Sequence, residues 1–263
     1  MTMFKSMHPT ARKRIVIKLG GSTLEGLNDT FFSNFKLMQE QGYELIITHG
    51  GGPAINAALE TQNVSSHTLN GIRVTSEEAI GIVQSTLIGK VNPKLVYELN
   101  KAGIPSIGLN GFDQLLIQAD YLDLATYGYV GEVKNVNIQL IDNLTSRGIV
   151  PVIACIGSGE DGCALNINGD TLASAVALAV NADSLILVTD VSGIRIQDEY
   201  QKVATSTQIE KWIEEGHIFG GMIPKVRGAI QGLNAGIPSI QIVNDSLIGT
   251  NIIAEEKLNE CTF

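Results

Sequence analysis

The chain has 263 residues, of which 44% are hydrophobic and 17% charged, with a formal net charge of −9 at pH 7. This composition excludes a disordered chain and predicts one large α/β domain or two small lobes with a sizeable core. The net negative charge argues against nucleic acid or an anionic membrane as the main partner. Any polyanionic ligand therefore needs local lysines and arginines.

Cysteine use and the amino terminus favour a cytoplasmic protein. The three cysteines, Cys155, Cys163 and Cys261, fit no zinc-binding spacing and are predicted to be reduced thiols. Residues 1–14 contain no apolar stretch typical of a signal peptide, and the sequence has no run of 18 apolar residues that predicts a membrane span.

The stretch at residues 15–22 reads Ile-Val-Ile-Lys-Leu-Gly-Gly-Ser, and its first five residues form the first predicted strand. Its apolar, β-branched start predicts a strand buried on both faces, and Lys18 interrupts it just before Gly20 and Gly21. A cation beside a glycine turn at the carboxyl end of a strand is where an α/β sheet would hold an anion. The alternative is a lysine that only extends from the strand end into solvent.

The second predicted strand, residues 43–48, leads into His49, three glycines and Pro53. Pro53 suits the first turn of a helix, which continues over 54–62. A strand, a glycine loop and a helix N-terminus in this order offer backbone N–H groups to an anion. The alternative is an ordinary strand-to-helix turn, and His49 is interpreted as a structural residue.

The remaining segments alternate between strands and helices. Strands are predicted at 149–155, 184–189 and 239–243, the last clear strand, with a hairpin excursion of short strands within 114–124 and 127–133 and a loop at 157–163. Helices are predicted from Phe31 to a stop at Gly42, from a Thr75–Glu78 capping box to Gly89, and from Pro93 to Gly103. Three more are predicted over 171–180, over 210–215, and after residues 220–225 with an end near Ala235. This alternation predicts a mostly parallel sheet with helices on both faces, and any break between lobes near 170–189.

Six motifs together resemble a known family. Ile-Lys-Leu-Gly-Gly-Ser at 17–22 and Thr-His-Gly-Gly-Gly-Pro at 48–53 are similar to the amino acid kinase family. The resemblance narrows to its N-acetylglutamate kinases through Asn-Gly-Ile-Arg-Val-Thr at 70–75, Leu-Asn-Ile-Asn-Gly-Asp at 165–170, Thr-Asp-Val-Ser-Gly-Ile at 189–194 and Gly-Gly-Met-Ile-Pro-Lys-Val at 220–226. The match covers about 15–253, and the motifs occur in family order.

The resemblance implies an open αβα sandwich with a mostly parallel central sheet and hairpins over the substrate site. It implies ATP-dependent phosphorylation of the side-chain carboxylate of N-acetyl-L-glutamate, giving an acyl phosphate for arginine synthesis. An N-terminal lobe, 1–170, would bind the acyl amino acid and form a homodimer. A C-terminal lobe, 171–263, would bind the nucleotide on the same continuous sheet.

The resemblance also implies roles for individual residues. Lys18 and Lys225 would bind the transferring phosphoryl group, and Asp170 would orient both lysines. The residues expected to bind the acceptor are Gly51, Gly52, Arg73, Asn166 and Asn168. The residues expected around the nucleotide are Gly20, Gly21, Thr189, Asp190, Gly193, Ile194, Gly220, Gly221 and Met222. No protein ligand is expected for Mg²⁺, which the nucleotide phosphates and water would hold.

General chemistry agrees with this assignment. A carboxylate acceptor is already ionised at pH 7 and needs no general base, which fits the absence of a convincing His–Asp pair. Joining it to ATP concentrates negative charge, which explains two lysines and Mg²⁺. Three alternatives stay open: Asp170 as a helix-terminus charge, Arg73 as a surface residue, and Asp190 as a turn residue.

Two departures from the family and two competing functions remain. Gly169 stands where the family often has alanine, and the segment before Arg14 is short, so strong inhibition by L-arginine is not expected. One competitor is a sister kinase acting on another acyl amino acid, such as an aminoadipate derivative. The other is a non-catalytic regulator that binds a nucleotide or an amino acid.

Overall fold

The computed structural model describes residues 13–260, and the segment before Arg14 that bears on arginine inhibition lies almost entirely outside them. The strands are β1 (Lys13–Leu19), β2 (Tyr43–His49), β3 (Thr68–Leu69), β4 (Ile72–Arg73), β5 (Ser106–Leu109), β6 (Ile117–Tyr121), β7 (Gly131–Val136), β8 (Val150–Ala154), β9 (Ile156–Ser158), β10 (Ala164–Asn166), β11 (Ser184–Val188), β12 (Arg195–Ile196), β13 (Glu199–Tyr200), β14 (Val203–Thr205), β15 (Ser239–Val243) and β16 (Gly249–Ile253). The α-helices are α1 (Asp29–Glu40), α2 (Gly52–Thr61), α3 (Glu77–Thr86), α4 (Asn92–Lys101), α5 (Leu124–Tyr127), α6 (Ile138–Thr145), α7 (Gly169–Ala179), α8 (Ser206–Glu214) and α9 (Met222–Asn234).

One sheet carries the fold, with the strand order β14-β16-β15-β11-β1-β2-β8-β5. Every neighbouring pair in it is parallel except β15 with β16. The predicted mostly parallel sheet is confirmed. Because β1 pairs with β2 on one side and with β11 on the other, the sheet runs unbroken past the predicted lobe boundary.

Strand β1 alternates its side chains between two cores, as a strand buried on both faces requires. Val16 packs in the core that includes α2, α3 and α7, whereas Ile15, Ile17 and Leu19 pack against Phe31 and Phe35 of α1 on the other face. By this alternation Lys18 lies on the face of Val16. Its ammonium is therefore directed to the side of the sheet that α7 covers.

The amino-terminal end of β1 holds a buried arginine. Arg14 is 6% exposed, and its Nε donates to Glu44 Oε2 at 2.8 Å. Its other nitrogens donate to Asp142 and to the carbonyl of Val180, the residue that ends α7. Burial lowers the pKa of this guanidinium, but the two carboxylates raise it above its ordinary value overall. One side chain therefore links β1, β2, α6 and α7.

The predicted helix stop at Gly89 is wrong. The chain stays helical from α3 through a π turn, Leu87–Val91, into α4. Pro93 has no N–H for the carbonyl of Gly89, and the wider turn accommodates this missing bond. The glycine and the proline thus mark a widened turn within one long helical segment.

The predicted cap of α3 is also wrong by one residue. Ser76 is the N-cap, and its Oγ accepts from Ala79 N at 3.2 Å. Thr75 instead donates its hydroxyl to Arg73 O at 3.0 Å and accepts from Asn166 at the same distance. Thr75 is fully buried, and its hydroxyl joins the β3–β4 hairpin to β10.

The predicted hairpin excursion is a second sheet with the order β10-β9-β6-β7. The loop predicted at 157–163 begins inside β9, so that expectation is partly wrong. A two-stranded hairpin, β3 with β4, stands beside this sheet. Short strands β12, β13 and β14 and the antiparallel strand β16 follow β11 without having been predicted. Two- and three-residue strands are too short to show a hydrophobic period.

Candidate active site

Lys18 lies at the carboxyl end of β1, where its ammonium meets a carboxylate in the first turn of α7. Lys18 Nζ is 3.0 Å from Asp170 Oδ1, and the Lys18 side chain is only 16% exposed. A Cβ at Gly20 would lie 2.5 Å from Lys18 Nζ, so the glycine leaves the space that the ammonium occupies. The structure thus brings Lys18, Gly20 and Asp170 together at one edge of the sheet.

Lys225 lies in the first turn of α9 and faces a different aspartate. Its Nζ donates to Asp190 Oδ1 at 2.8 Å, and this bond with the lysine charge lowers the pKa of Asp190. In this structure Asp170 pairs with Lys18 and Asp190 pairs with Lys225, so the role of Asp170 toward both lysines stays a prediction. Within residues 13–260 each lysine pairs with its own aspartate, because Asp190 follows β11 directly and meets the start of α9.

A cavity of about 190 Å³ separates the two ion pairs. It is lined by Lys18, Gly20, Gly21, Thr189, Asp190 and Lys225, with Val188. Gly21 adopts a positive φ of 59°, which a residue with a side chain rarely takes. Two ammonium groups and a glycine turn around one small space form a site for a multiply charged anion.

Two larger cavities adjoin this edge. One of about 430 Å³ shares Lys18, Thr189 and Lys225 and continues between α7 and α9. The other, of about 510 Å³, is lined by Gly193 and Met222 among others. Either has the size of a small-molecule site.

Four of the residues predicted around a nucleotide lie in the segment after β11 or at the start of α9. Gly193 has a φ of 110°, and a Cβ there would lie 2.6 Å from Thr250 Oγ1. Gly220 has a φ of 57°, and Gly221 occupies the N-cap position of α9 directly before Met222. They shape the entry into the helix that carries Lys225.

Ile194 does not offer a polar group to a ligand. Its side chain is fully buried, its N–H donates to Thr250 Oγ1 at 2.8 Å, and its carbonyl accepts from Gln201 N at 2.9 Å. Ile194 nevertheless lines the cavity of about 510 Å³ beside Gly193, so its place around the nucleotide stays a prediction. The residue anchors the turn after β11 to the segment between β13 and β16.

The acceptor side is built on the β3–β4 hairpin. Arg73 is half-buried, and its guanidinium donates to Ser66 Oγ and to Asn56 Oδ1 on α2. Burial lowers the pKa of this arginine. Its carbonyl accepts the Thr75 hydroxyl, which in turn accepts from Asn166 Nδ2, so Arg73 and Asn166 belong to one connected group.

Asn168, predicted beside the acceptor, caps α7. Its Oδ1 accepts from Asp170 N at 2.9 Å and from Thr171 N at 3.2 Å. Asx side chains at this position satisfy N–H groups that the helix leaves open. Its side-chain oxygen therefore fixes the backbone of Asp170, which was not expected from the sequence.

The buried His49 side chain contacts the glycine loop that follows β2 through the carbonyl of Gly50. This imidazole is completely buried, with Nδ1 2.8 Å from Gly50 O and Nε2 2.9 Å from Asn92 Nδ2. Burial lowers its pKa to about 4 although the bond to Gly50 opposes that shift. Nothing in the sequence around Asn92 indicates this contact, since it lies in the middle of a helical segment.

The buried imidazole predicts a pH dependence of stability. In the unfolded chain a histidine binds a proton near pH 6.5, whereas His49 in the fold stays neutral to about pH 4. The contribution of His49 to the free energy of unfolding should be constant well above pH 6.5 and fall by about 3 kcal/mol between pH 6.5 and 4. Urea unfolding of the wild type and of His49→Asn, compared pH by pH, measures this; equal slopes for both would contradict it.

Comparisons with known proteins place the chain in a family. Residues 13–244 match the profile of the Amino acid kinase family, so the chain belongs to this family of phosphotransferases. The acetylglutamate kinase of Halalkalibacterium halodurans is 44% identical over 247 residues, covering 90% of this chain and 95% of that protein. The acetylglutamate kinase of Geobacillus stearothermophilus is 44% identical over 232 residues, covering 88% and 90%.

A solved structure agrees with this placement. The crystal structure of smu.665 from Streptococcus mutans UA159 superposes with a TM-score of 0.82 at 38% identity, covering 92% of this chain and 99% of that chain. The family and the fold that the motifs predicted are confirmed. No helix within residues 13–260 is long and apolar enough to cross a membrane.

Proposed function

We propose that this kinase transfers the γ-phosphoryl group of ATP to the side-chain carboxylate of N-acetyl-L-glutamate, giving N-acetyl-L-glutamyl 5-phosphate. One observation carries the proposal: two lysines, each held by its own aspartate, flank a small cavity at the carboxyl ends of β1 and β11. Phosphoryl transfer depends mainly on positioning and on neutralising charge, and this arrangement supplies both.

The transferring phosphoryl group would lie between Lys18 and Lys225. The acceptor carboxylate is ionised at neutral pH, so it can attack without a base, and no base is assigned. The buried, neutral His49 therefore has no role as a general base in this reaction. Asp170 and Asp190 hold the ammonium groups against their mutual repulsion, which preorganises the positive charge before substrate arrives.

The phosphoryl-transfer chemistry would use Mg²⁺ to neutralise part of the negative charge of the nucleotide phosphates. Among residues 13–260 no three His, Cys, Asp or Glu side chains lie together as a metal site. The nearest carboxylates, Asp170 and Asp190, each face a lysine. This donor set fits a magnesium ion that phosphates and water mainly coordinate, with at most one protein carboxylate.

The two substrates would approach from opposite sides of the small cavity. We assign the acceptor's α-carboxylate and acetamido group to Arg73 and Asn166, with Gly51 and Gly52 beside its reacting end. We assign the nucleotide to the turn after β11 and to the start of α9, where Thr189, Gly193 and Met222 line cavities. The acceptor residues then belong to 1–170, and most nucleotide residues to 171–263.

The decisive experiment is ADP release from MgATP with a panel of acceptors. N-acetyl-L-glutamate should support turnover, whereas L-glutamate and N-acetyl-L-aminoadipate should support little. Preference for the aminoadipate derivative would favour a sister kinase. Nucleotide binding without turnover of any acceptor would favour a non-catalytic regulator.

Arg73→Lys should raise KM for N-acetyl-L-glutamate by roughly 10-fold or more while changing kcat by less than about 3-fold. A guanidinium makes two parallel bonds to a carboxylate, and an ammonium cannot, so the loss falls on ground-state binding. Steady-state kinetics at saturating MgATP measure both constants. The matched control is Arg147→Lys, at an exposed turn position just after α6. An unchanged acceptor KM in Arg73→Lys would refute the assignment.

We further propose a cytoplasmic homodimer that serves arginine synthesis. The outermost strand beside β8 is β5, which leaves one edge of the sheet unpaired in the described chain. Ile107 on β5 is 43% exposed and Tyr97 on α4 is 61% exposed, so apolar surface lies beside that edge. Light scattering should give twice the chain mass, and Tyr97→Asp should weaken the dimer; a monomeric wild type at micromolar concentration would contradict this.

A further inference from the structure

The hydrogen bonds around the buried His49 imidazole are consistent with only one ring tautomer. Asn92 Nδ2 lies 2.9 Å from His49 Nε2 and 2.9 Å from Val152 O. An amide nitrogen carries two hydrogens, so Asn92 can donate to both acceptors at once. The reverse amide orientation would set its oxygen against the Val152 carbonyl. His49 Nε2 must therefore accept, and the ring proton resides on Nδ1, which donates to Gly50 O.

This bond determines which way the next N–H points. The Gly50–Gly51 peptide is trans, as no cis peptide occurs in the described chain. In a trans peptide the carbonyl and the following N–H point in opposite directions. Since the Gly50 carbonyl points down to His49, the Gly51 N–H points up, out of the core. In the part of the chain that the structure describes, that N–H donates to no protein acceptor.

The backbone at Gly51 is also fixed from the side. A Cβ there would lie 2.7 Å from Leu87 Cδ2 and 3.2 Å from Val91 Cγ2, both in the π turn. Asn92 follows this turn directly, so the same helical segment supports the loop laterally and holds its histidine. The loop has little freedom to turn the peptide over.

We propose that His49, oriented by Asn92, is a positioning residue that aims the Gly51 N–H at the anionic group in the phosphoryl-transfer site. The inference rests on the proposed function, because the anion is the acceptor carboxylate or the phosphoryl group that it receives. Donors aimed in advance at developing charge contribute strongly to catalysis. The low pKa of His49 keeps the ring neutral near pH 7, which preserves this single tautomer.

Two substitutions at one position separate positioning from stability. His49→Phe keeps a ring but removes both hydrogen bonds. His49→Asn places an amide nitrogen where Nδ1 was, so it can still donate to Gly50 O while losing the contact with Asn92. We expect kcat to fall about 10- to 100-fold in His49→Phe, with KM for ATP within about 3-fold. We expect His49→Asn to regain most of kcat although it fills the site less well.

A matched control removes core volume elsewhere. Phe35→Leu lies in the core on the opposite face of the sheet, so it should lower the melting temperature without lowering kcat at 25 °C. If kcat in the three variants simply follows their melting temperatures, His49 is only a packing residue and the inference is wrong.

A spectroscopic arm tests the inference without turnover. In ¹⁵N-labelled protein the Gly51 amide signal should shift when MgADP and fluoroaluminate, a mimic of the transferring group, are added. The shift should be lost in His49→Phe and kept in His49→Asn; no shift in the wild type would overturn the inference. Failure of the wild type to phosphorylate N-acetyl-L-glutamate would instead overturn the proposed function, whatever this signal shows.

Discussion

Replacing either Lys18 or Lys225 with alanine is expected to lower kcat by about 10²–10³-fold. Each ammonium lines the cavity of about 190 Å³ and is held in place by a carboxylate. Each alanine substitution therefore removes a fixed positive charge that stabilises the transition state. KM for N-acetyl-L-glutamate should change much less, because we assign the acceptor's α-carboxylate to Arg73 and not to either lysine. Steady-state ADP release for both variants measures the effect.

The two ion pairs predict which double variants are non-additive. Lys18→Ala with Asp170→Asn should lose far less kcat than the product of the single losses, because Asp170 acts through Lys18. Lys225→Ala with Asp190→Asn should behave likewise. The crossed pairs, such as Lys18→Ala with Asp190→Asn, should multiply.

Both aspartates are about two-thirds exposed, so the asparagine variants should fold normally, which unfolding curves can verify. Multiplicative losses within Lys18–Asp170 would show that Asp170 acts independently of that lysine. Strong coupling of Asp170 to Lys225 would show that the pairing rearranges when substrates bind.

Arg14→Met should lower the free energy of unfolding by roughly 3 kcal/mol and leave the kinetic constants unchanged after correction for folded protein. The variant removes a largely buried guanidinium that forms ion pairs with both Glu44 and Asp142. The loss falls at the low end for a broken buried pair, because the Asp142 side chain is 36% exposed. Urea unfolding at pH 7 measures it.

A matched control is Lys134→Met. This lysine also faces two carboxylates, Asp120 and Glu132, but it is 48% exposed. Exposed pairs are worth under about 1 kcal/mol, so the loss should be small. If the Arg14 and Lys134 variants lose equal stability, the burial of Arg14 contributes nothing and the reasoning fails.

The main strands and helices could be predicted because their residue patterns are local. A buried strand such as β1, followed by glycines and a helix, shows its type within a dozen residues. Strand β16 is as long as β15 but was not predicted, because only Ile252 and Ile253 of its five residues are apolar. The π turn was missed because Gly89 and Pro93 each predict an end, and only packing shows that the helix continues.

The site was predictable in its residue types and not in its pairings. Lysines and glycines beside predicted strand ends are typical of an anion site, and both are visible in the sequence. Whether Asp170 serves one lysine or two depends on how α9 lies against β11, and that is a tertiary property. The contact of Asn92 with His49 joins positions 43 residues apart. No local pattern could reveal it.

The unbroken sheet has a mechanical consequence for catalysis. Lys18 belongs to β1, which is bonded along five residue pairs to β11 and seven to β2, so it is as immobile as the scaffold itself. Lys225 instead stands on a helix entered through Gly220 and Gly221. If the site adjusts around its substrates, we expect the movement to come from α9 and not from β1. Lys18 would stay fixed during such a movement. Restricting the backbone of Gly220 and Gly221 should therefore slow the movement of Lys225 without displacing Lys18.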